Sequence, residues 1–201
     1  MKKKRIGIFG GTFNPPHMGH IKAAKEFKEQ MQLDVLLIVP SFIPPHKEYS
    51  SSVTCEERLE MCELAFSDID SVVVSDIEIA RRGKSYTYIT LEEMYDEESR
   101  LFFLCGTDMI LSMDTWRNPE RIFALADICY IRREKDPNNE LIIEQKCSEY
   151  KKKYNATIHA IASEALEISS TEIRESSVDF DKHLSKSVAE YISSRGLYQN
   201  D

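Results

Sequence analysis

The sequence predicts an α/β fold, a doubly wound parallel sheet with helices on both faces. Short apolar runs alternate along the chain with segments of helical periodicity, which is typical of βαβ units. The run DVLLIVP (34–40) is continuously apolar, as expected for a strand buried on both faces. With 201 residues, 42% of them hydrophobic, the chain is long enough to bury such a core.

Six apolar segments are the predicted strands. They cover residues 4–10, 34–40, 71–76, 100–106, 127–133 and 156–162. The first strand is expected to stop at Gly10 and Gly11, because glycine lets the backbone turn sharply. Parallel strands need long crossover connections, so helices are expected between them.

Periodicity and capping residues predict the helices. Residues 19–31 place apolar side chains on one face: Ile21, Ala24, Phe27 and Met31. Thr54, with Glu57 three residues later, predicts a capping box and a helix that runs to about Phe66. The segment 80–86 predicts a turn, 86–97 starts another helix, and 185–198 predicts a closing helix that ends near Gly196.

Charge, hydropathy and cysteine content exclude several protein classes. The net charge of −8 argues against general polyanion binding such as DNA coating, although local donors can still hold a small phosphate ligand. No stretch approaches eighteen apolar residues, and MKKKRIGIFGG leaves no room for a signal-peptide apolar region. The five cysteines form no CxxC pair and are expected to be reduced. We therefore expect a cytoplasmic protein without nucleic-acid or membrane partners, and a homo-oligomer stays open.

The loop after the first predicted strand, GGTFNPPHMGH (10–20), is the densest cluster of unusual residues. Doubly wound sheets bind ligands at the carboxyl ends of their strands. His17 and His20 lie three residues apart at a helix start, where unpaired N–H groups and partial positive charge suit phosphate. The loop lacks GxGxxG and GxxxxGK[ST], and no companion cluster supports a zinc site. A capping turn with two packed histidines is the alternative interpretation.

This loop resembles the HxGH signature of a nucleotidyltransferase superfamily and, within it, the bacterial nicotinate-nucleotide adenylyltransferases. Those proteins usually have aspartate where this chain has Asn14. Further stretches support the resemblance in the expected order: IPPHK (43–47), GKSYT (83–87), CGTDMILSMDTW (105–116) and ISSTEIRES (168–176). The resemblance implies a single Rossmann-like nucleotidyltransferase domain over residues 1–201, in which 168–201 is helical and carries the second phosphate-binding motif.

The resemblance also implies a reaction. AMP passes from ATP to nicotinate mononucleotide, giving nicotinate adenine dinucleotide and pyrophosphate in NAD biosynthesis. The acceptor phosphate, already an anion, attacks the α-phosphorus in line, so positioning and charge neutralisation are expected to supply the catalysis. Mg²⁺ is the implied cofactor of ATP, bridging phosphate oxygens without a carboxylate cage from the protein.

Residues of the matching motifs are carried over by the resemblance. The implied catalytic residues are His17, His20 and Arg174. The implied ATP-binding residues are Gly10, Gly11, Thr12, Phe13, His17, His20, Ser169, Ser170, Thr171 and Arg174. The implied pyridine-nucleotide residues are Lys47, Ser85, Tyr86, Thr87, Gly106, Asp108 and Trp116. Trp116 would stack on the pyridine ring, and a helix start at Thr87 would favour the nicotinate carboxylate.

Alternatives stay open at both levels. Residues 169–171 are also a plausible plain helix cap, Asp108 a cap for its own helix, Lys47 a solvated loop lysine and Trp116 a core residue. The protein itself fits two alternatives. One is another HxGH nucleotidyltransferase, such as pantetheine-phosphate adenylyltransferase. The other is a nucleotide sensor without turnover, which Asn14 supports best.

Overall fold

The computed structural model describes residues 2–45, 52–133, 137–163, 168–175 and 180–198, so Lys47 lies outside the described residues. The strands are β1 (Lys4–Gly11), β2 (Val35–Pro40), β3 (Val72–Val74), β4 (Ser99–Cys105), β5 (Ala126–Arg133) and β6 (Ile158–Ser163). The helices are α1 (Met18–Gln30), α2 (Cys55–Phe66), α3 (Ile77–Arg81), α4 (Thr87–Met94), α5 (Thr107–Ser112), α6 (Pro119–Leu125), α7 (Pro137–Tyr154), α8 (Ser170–Glu175), α9 (Phe180–His183) and α10 (Lys186–Arg195). A 3₁₀ turn, η1 (Met113–Thr115), follows α5.

The described strands form one parallel sheet with the order β3-β2-β1-β4-β5-β6. The chain winds outward from the centre in one direction through β1, β2 and β3, and in the other through β4, β5 and β6. The winding reverses between β1 and β4, which opens a crevice at the carboxyl ends of these two strands. The predicted α/β class and Rossmann-like doubly wound sheet are confirmed.

Helices cover both faces of the sheet. One face packs against α1, α2 and α10, with Phe27, Met61 and Phe66 buried. The other packs against α4 to α7. Ile38 and Val39 are neighbours in β2 and point to opposite faces, yet both are fully buried. This double burial explains why the run 34–40 lacks polar alternation.

The first strand ends at the predicted glycine pair, since Gly11 is its last residue and still pairs with Pro40. The backbone turns after it at Phe13 (φ 49°). Other predicted boundaries were wrong. The strand predicted for 71–76 shortens to β3, which begins after Ser71 in a left-handed conformation (φ 57°). The segment 80–86 is a turn only from Arg82 onward, since α3 occupies the residues before it.

To span a membrane, a helix of the described segments would have to be both long enough and apolar enough. None of the described helices meets both requirements.

Candidate active site

The loop between β1 and α1, residues 12–17, closes the carboxyl end of the central strand. Phe13 turns the backbone with a positive φ, and its ring is buried against Phe9 and His20, at centroid distances of 5.4 and 5.0 Å. A Cβ at Gly11 would lie 3.0 Å from the Phe13 ring, so glycine is needed there for this packing. The Phe13 side chain therefore belongs to the core.

Three carbonyl oxygens of this loop accept hydrogen bonds from side chains elsewhere in the chain. The pairs are Arg58 Nη1 to Thr12 (2.7 Å), Arg174 Nη1 to Asn14 (2.6 Å) and Ser170 Oγ to Pro15 (2.9 Å). These bonds offset the negative end of each carbonyl dipole, so the loop repels a phosphate less. The first and last predicted signature segments, far apart in the sequence, meet at this loop.

Arg58 was missed by the sequence analysis. Its side chain is fully buried, and its guanidinium also donates to the carbonyl oxygens of Ser41 (2.6 Å) and Phe42 (3.3 Å). It therefore ties the loop after β1 to the segment after β2. The available signal was its position one turn before Cys62 on the buried face of α2, whereas arginine in a helix is ordinarily assigned to the solvated face.

The two histidines of the signature stack on each other. Their ring centroids lie 3.7 Å apart at an interplanar angle of 30°. The backbone N–H of His17 donates to Nδ1 of His20 at 3.2 Å, so we assign the ring proton of His20 to Nε2, where it can be donated. Nδ1 of His17 is buried and has no hydrogen-bond partner among the described residues.

Burial lowers the pKa of both imidazoles. The pKa of His17 falls to about 4, mainly through desolvation and then through repulsion by His183, with Glu172 acting in the opposite direction. The pKa of His20 also lies well below its ordinary value, because of burial and then of His17. Both rings are therefore neutral at pH 7 and serve as hydrogen-bonding groups rather than cations. His183, in α9, is a second residue that sequence reasoning missed.

The segment around α8 carries its own cap. The N–H of Ser169 donates to the Glu172 carboxylate (2.8 Å), and the N–H of Glu172 donates to Ser169 Oγ (3.1 Å), which is a capping box. Arg174 Nη2 lies 3.4 Å from Thr171 Oγ1. The capping interpretation of this segment is thus present in the structure, and it is compatible with phosphate binding.

Asn14 faces the protein interior. It is 5% exposed, and its Oδ1 accepts a hydrogen bond of 2.6 Å from the hydroxyl of Tyr198, near the end of the chain. The departure from the usual aspartate therefore lies on the buried side of the loop. Tyr198 had no local signal in the sequence that connects it with the loop.

A cleft of about 900 Å³, including its open mouth, lies beside the loop. Its lining includes Gly10, Gly11 and Thr12 on one side and Ser85, Tyr86, Thr87 and Trp116 on the other. Some predicted residues for each substrate therefore share one cleft, whereas its described lining does not include His17, His20, Ser169, Ser170, Thr171 or Arg174. Among the described residues, the lining does not include Gly106 or Asp108, which adjoin at the start of α5: a Cβ on Gly106 would lie 2.7 Å from Asp108 Oδ1.

The side of the cleft that contains Ser85 is hydrogen-bonded to the segment that follows β2. Ser85 Oγ accepts from the N–H of Phe42 (2.9 Å), and the N–H of Ser85 donates to Ile43 (2.9 Å). Ser85 thus positions the start of α4, whose first residue is Thr87. Trp116 follows η1 and packs edge-to-face with Phe103 at 6.3 Å.

A buried carboxylate also lines the cleft and was not predicted. Glu78 is 8% exposed and accepts a hydrogen bond of 2.6 Å from Thr90, which in turn accepts one of 3.0 Å from Arg81. Arg81 also pairs with Glu93. Arg81 therefore supplies a positive charge close to the carboxylate of Glu78. The sequence pattern had placed Arg81 in a turn.

The described residues offer no cluster of metal ligands. They contain no group of three or more histidine, cysteine, aspartate or glutamate side chains that could hold an ion. Protein ligands for a resident metal are therefore not assigned.

Comparisons with known proteins agree on one family. Residues 8–176 match the family model described as cytidylyltransferase-like. A probable nicotinate-nucleotide adenylyltransferase of Clostridium botulinum (strain Alaska E43 / Type E3) is 36% identical, covering 98% of this chain and 100% of that protein. One of Desulfatibacillum aliphaticivorans is 34% identical, covering 96% and 99%.

A solved structure resembles this fold over nearly its whole length. Nicotinic acid mononucleotide adenylyltransferase of Plasmodium falciparum, complexed with NaAD, superposes with a TM-score of 0.77 at 18% identity, covering 98% of each chain. At that identity the likeness concerns the fold. The family model and the curated relatives, together with the HxGH loop at the cleft, establish the family. This chain belongs to the cytidylyltransferase-like family and, within it, to the nicotinate-nucleotide adenylyltransferases.

Proposed function

We propose that this chain transfers AMP from ATP to nicotinate mononucleotide, giving nicotinate adenine dinucleotide and pyrophosphate in NAD biosynthesis. One observation carries the proposal. Gly10, Gly11 and Thr12 line one side of a cleft whose other side holds Trp116 and the start of α4. The loop that follows Thr12 is hydrogen-bonded to Ser170 and Arg174. Two substrates can thus meet in one cavity, with phosphate-binding groups at one end and an aromatic wall at the other.

At the phosphate end, the two histidines act on ATP. His20 donates its Nε2 proton to an oxygen of the α-phosphate, where negative charge shifts during in-line attack. Because burial lowers their pKa values, His17 and His20 are neutral at pH 7 and act as hydrogen-bonding groups in that state. Thr12, the Gly10–Gly11 backbone and residues 169–174 hold the remaining phosphates and the nucleotide. The acceptor phosphate needs no base, so the contribution of the protein is position and charge stabilisation.

At the pyridine end, shape and a helix terminus select the acceptor. The indole of Trp116 stacks on the pyridine ring. The first N–H groups of α4, at Thr87 and Tyr88, lack intrahelical acceptors and favour an anion, here the nicotinate carboxylate. This preference opposes the neutral amide of nicotinamide mononucleotide. Lys47 and the pair Gly106 and Asp108 stay assigned to this substrate by resemblance.

Mg²⁺ enters with ATP as part of the substrate. When bound with ATP, it would neutralise part of the negative charge of the phosphates. A cytoplasmic setting, where ATP and reduced thiols prevail, agrees with the free cysteines of the chain.

The test is an acceptor assay on the full chain with ATP and MgCl₂. Nicotinate mononucleotide, nicotinamide mononucleotide and phosphopantetheine are supplied in parallel, and pyrophosphate and the adenylylated product are both measured. We expect the fastest turnover with nicotinate mononucleotide. Turnover of phosphopantetheine alone would assign a different transferase, and nucleotide binding without pyrophosphate release would indicate a sensor.

A further inference from the structure

We propose that Tyr150, in α7, is a positioning residue for Trp116, because its hydroxyl fixes the segment 110–116 that brings the indole to the cleft. The proposal rests on the proposed function, in which Trp116 contacts the pyridine ring. Tyr150 belongs to none of the signature motifs and lies on the side of the segment away from the cleft lining.

The hydroxyl of Tyr150 contacts both ends of the segment. It lies 3.0 Å from the carbonyl oxygen of Ile110, in α5, and 3.0 Å from Oδ1 of Asp114, in η1. The backbone N–H of Asp114 donates to the same hydroxyl at 3.4 Å. The ring is 1% exposed and packs against Phe123 at a centroid distance of 4.9 Å. The single hydroxyl proton is shared between the two acceptors, Ile110 and Asp114 Oδ1, and the hydroxyl oxygen accepts from the Asp114 N–H. One buried hydroxyl therefore connects the end of α5 to the turn that follows it.

Lys146, one helical turn before Tyr150, also contacts Asp114. Tyr150, Asp114 and Lys146 together form the Tyr150 joint. The Nζ of Lys146 lies 3.1 Å from Oδ2 of Asp114, so both carboxylate oxygens of Asp114 have donors from α7. Desolvation raises the pKa of Asp114, but the hydrogen bonds from Lys146 and Tyr150 bring it below its ordinary value. Burial raises the pKa of Tyr150 to about 12, which keeps the hydroxyl protonated as a donor. At neutral pH an ionised Asp114 therefore accepts from a charged Lys146 and a protonated Tyr150.

The joint controls Trp116 through a short stretch of backbone. The N–H of Trp116 donates to the carbonyl oxygen of Met113 at 3.1 Å, and this bond closes η1. Trp116 therefore lies only two residues after Asp114, which Tyr150 and Lys146 hold. Met113 is fully buried, so the turn is anchored on two sides. A stacked ring that shifts loses part of its contact area, at a modest cost in affinity. Loss of the Tyr150 hydroxyl frees η1 to shift and carries the indole with it.

The experiment compares Tyr150→Phe with Tyr154→Phe in the full chain. The first variant keeps the buried ring and deletes the hydroxyl. The second deletes a hydroxyl one turn later on α7, from a ring that stacks on Phe123 at 4.8 Å and lies beside Lys153. Trp116 is the single tryptophan of the chain, so tryptophan emission reports its surroundings alone.

For Tyr150→Phe we expect the KM for nicotinate mononucleotide to rise about fivefold, as part of the stacking energy is lost. We expect the KM for ATP and kcat to stay within about twofold, and the Trp116 emission of the free protein to change. Tyr154→Phe should match the wild type in all four. An unchanged KM and emission in Tyr150→Phe, or equal rises in both KM values, would overturn the proposal.

A second variant covers a failure of Tyr150→Phe to fold. Asp114→Asn keeps the shape of the side chain but weakens the contact with Lys146, and should give the same selective rise in KM at smaller size. If the wild type neither binds nor adenylylates nicotinate mononucleotide, the proposed function fails. The positioning role is then judged by the Trp116 emission of the free Tyr150→Phe protein. A changed emission supports the role, and an emission identical to that of the wild type overturns it.

Discussion

At the phosphate end of the cleft, Arg58, Ser170 and Arg174 bind the carbonyl oxygens of one loop, and both histidines are packed into it. At the proposed pyridine end, the lining is mixed and partly exposed, and Trp116 packs edge-to-face on Phe103. The first region is fixed by side chains that bond to the loop backbone. The second combines ring packing with hydrogen bonds such as that from the Phe42 N–H to Ser85, and its position depends on the elements behind it.

This difference teaches how the two tasks of the site are divided. Charge that develops in a transition state is best stabilised by donors that need no rearrangement, which is what a bonded loop provides. A flat ring is recognised by contact area, which tolerates small displacements at a modest cost in affinity. Substitutions at the phosphate end should therefore change stability and kcat, whereas substitutions at the pyridine end should change KM.

The largest expected effect comes from Arg58→Met. It leaves one buried and two partly buried carbonyl oxygens without their charged donor, so the free energy of unfolding should fall by about 4 kcal/mol. Urea denaturation measures it. Arg121→Met is the matched control, since Arg121 is half exposed and pairs with Glu92, and should lose under about 1 kcal/mol. Equal losses in both variants would contradict the bonded loop.

The next effect is a pH dependence of stability caused by His17. Unfolded, His17 has an ordinary pKa of 6.5, whereas the folded value is about 4. Above 6.5 neither state binds a proton. Between 6.5 and 4 only the unfolded state does, so stability falls as the pH falls, by about 3 kcal/mol in all.

Urea denaturation at several pH values, with His17→Asn as the reference, tests this dependence. As the pH falls from 6.5 to 4, the unfolding free energy of the wild type should decrease more than that of His17→Asn. A constant difference would mean that the imidazole is not desolvated in the folded state.

His20→Ala tests the phosphate end directly. Loss of a donor aimed at the α-phosphate should lower kcat by on the order of 10²-fold or more, as for one oxyanion-hole donor. The KM for nicotinate mononucleotide should barely change. Steady-state pyrophosphate release at saturating ATP measures both. Turnover like that of the wild type would remove His20 from the chemistry.

Much of the fold could be predicted because its causes are local. Thr54 and Glu57 form the expected capping box, and Gly196 ends α10 with a φ of 63°. The continuous apolar run of β2 predicted its burial on both faces. The shortness of β3 could not be predicted, because it depends on a left-handed serine at the sheet edge rather than on the run of valines.

The site divides in the same way. The signature segments are visible as sequence patterns, but the side chains that hold them are not. Arg58 reaches Thr12 across 46 residues, and Tyr198 reaches Asn14 across 184. Such contacts follow from how helices pack on the sheet, which no local pattern specifies. The Tyr150 joint behind Trp116 was missed for the same reason.

Trp116→Ala has the smallest expected effect and sharpens the comparison most. Loss of the indole should raise the KM for nicotinate mononucleotide about tenfold, or about 1.4 kcal/mol, and leave the KM for ATP unchanged. Trp116→Phe keeps an aromatic face and should recover most of the affinity. A parallel rise in the KM for ATP would show that the two ends are mechanically coupled. An unchanged KM for the pyridine nucleotide would return Trp116 to a packing role beside Phe103.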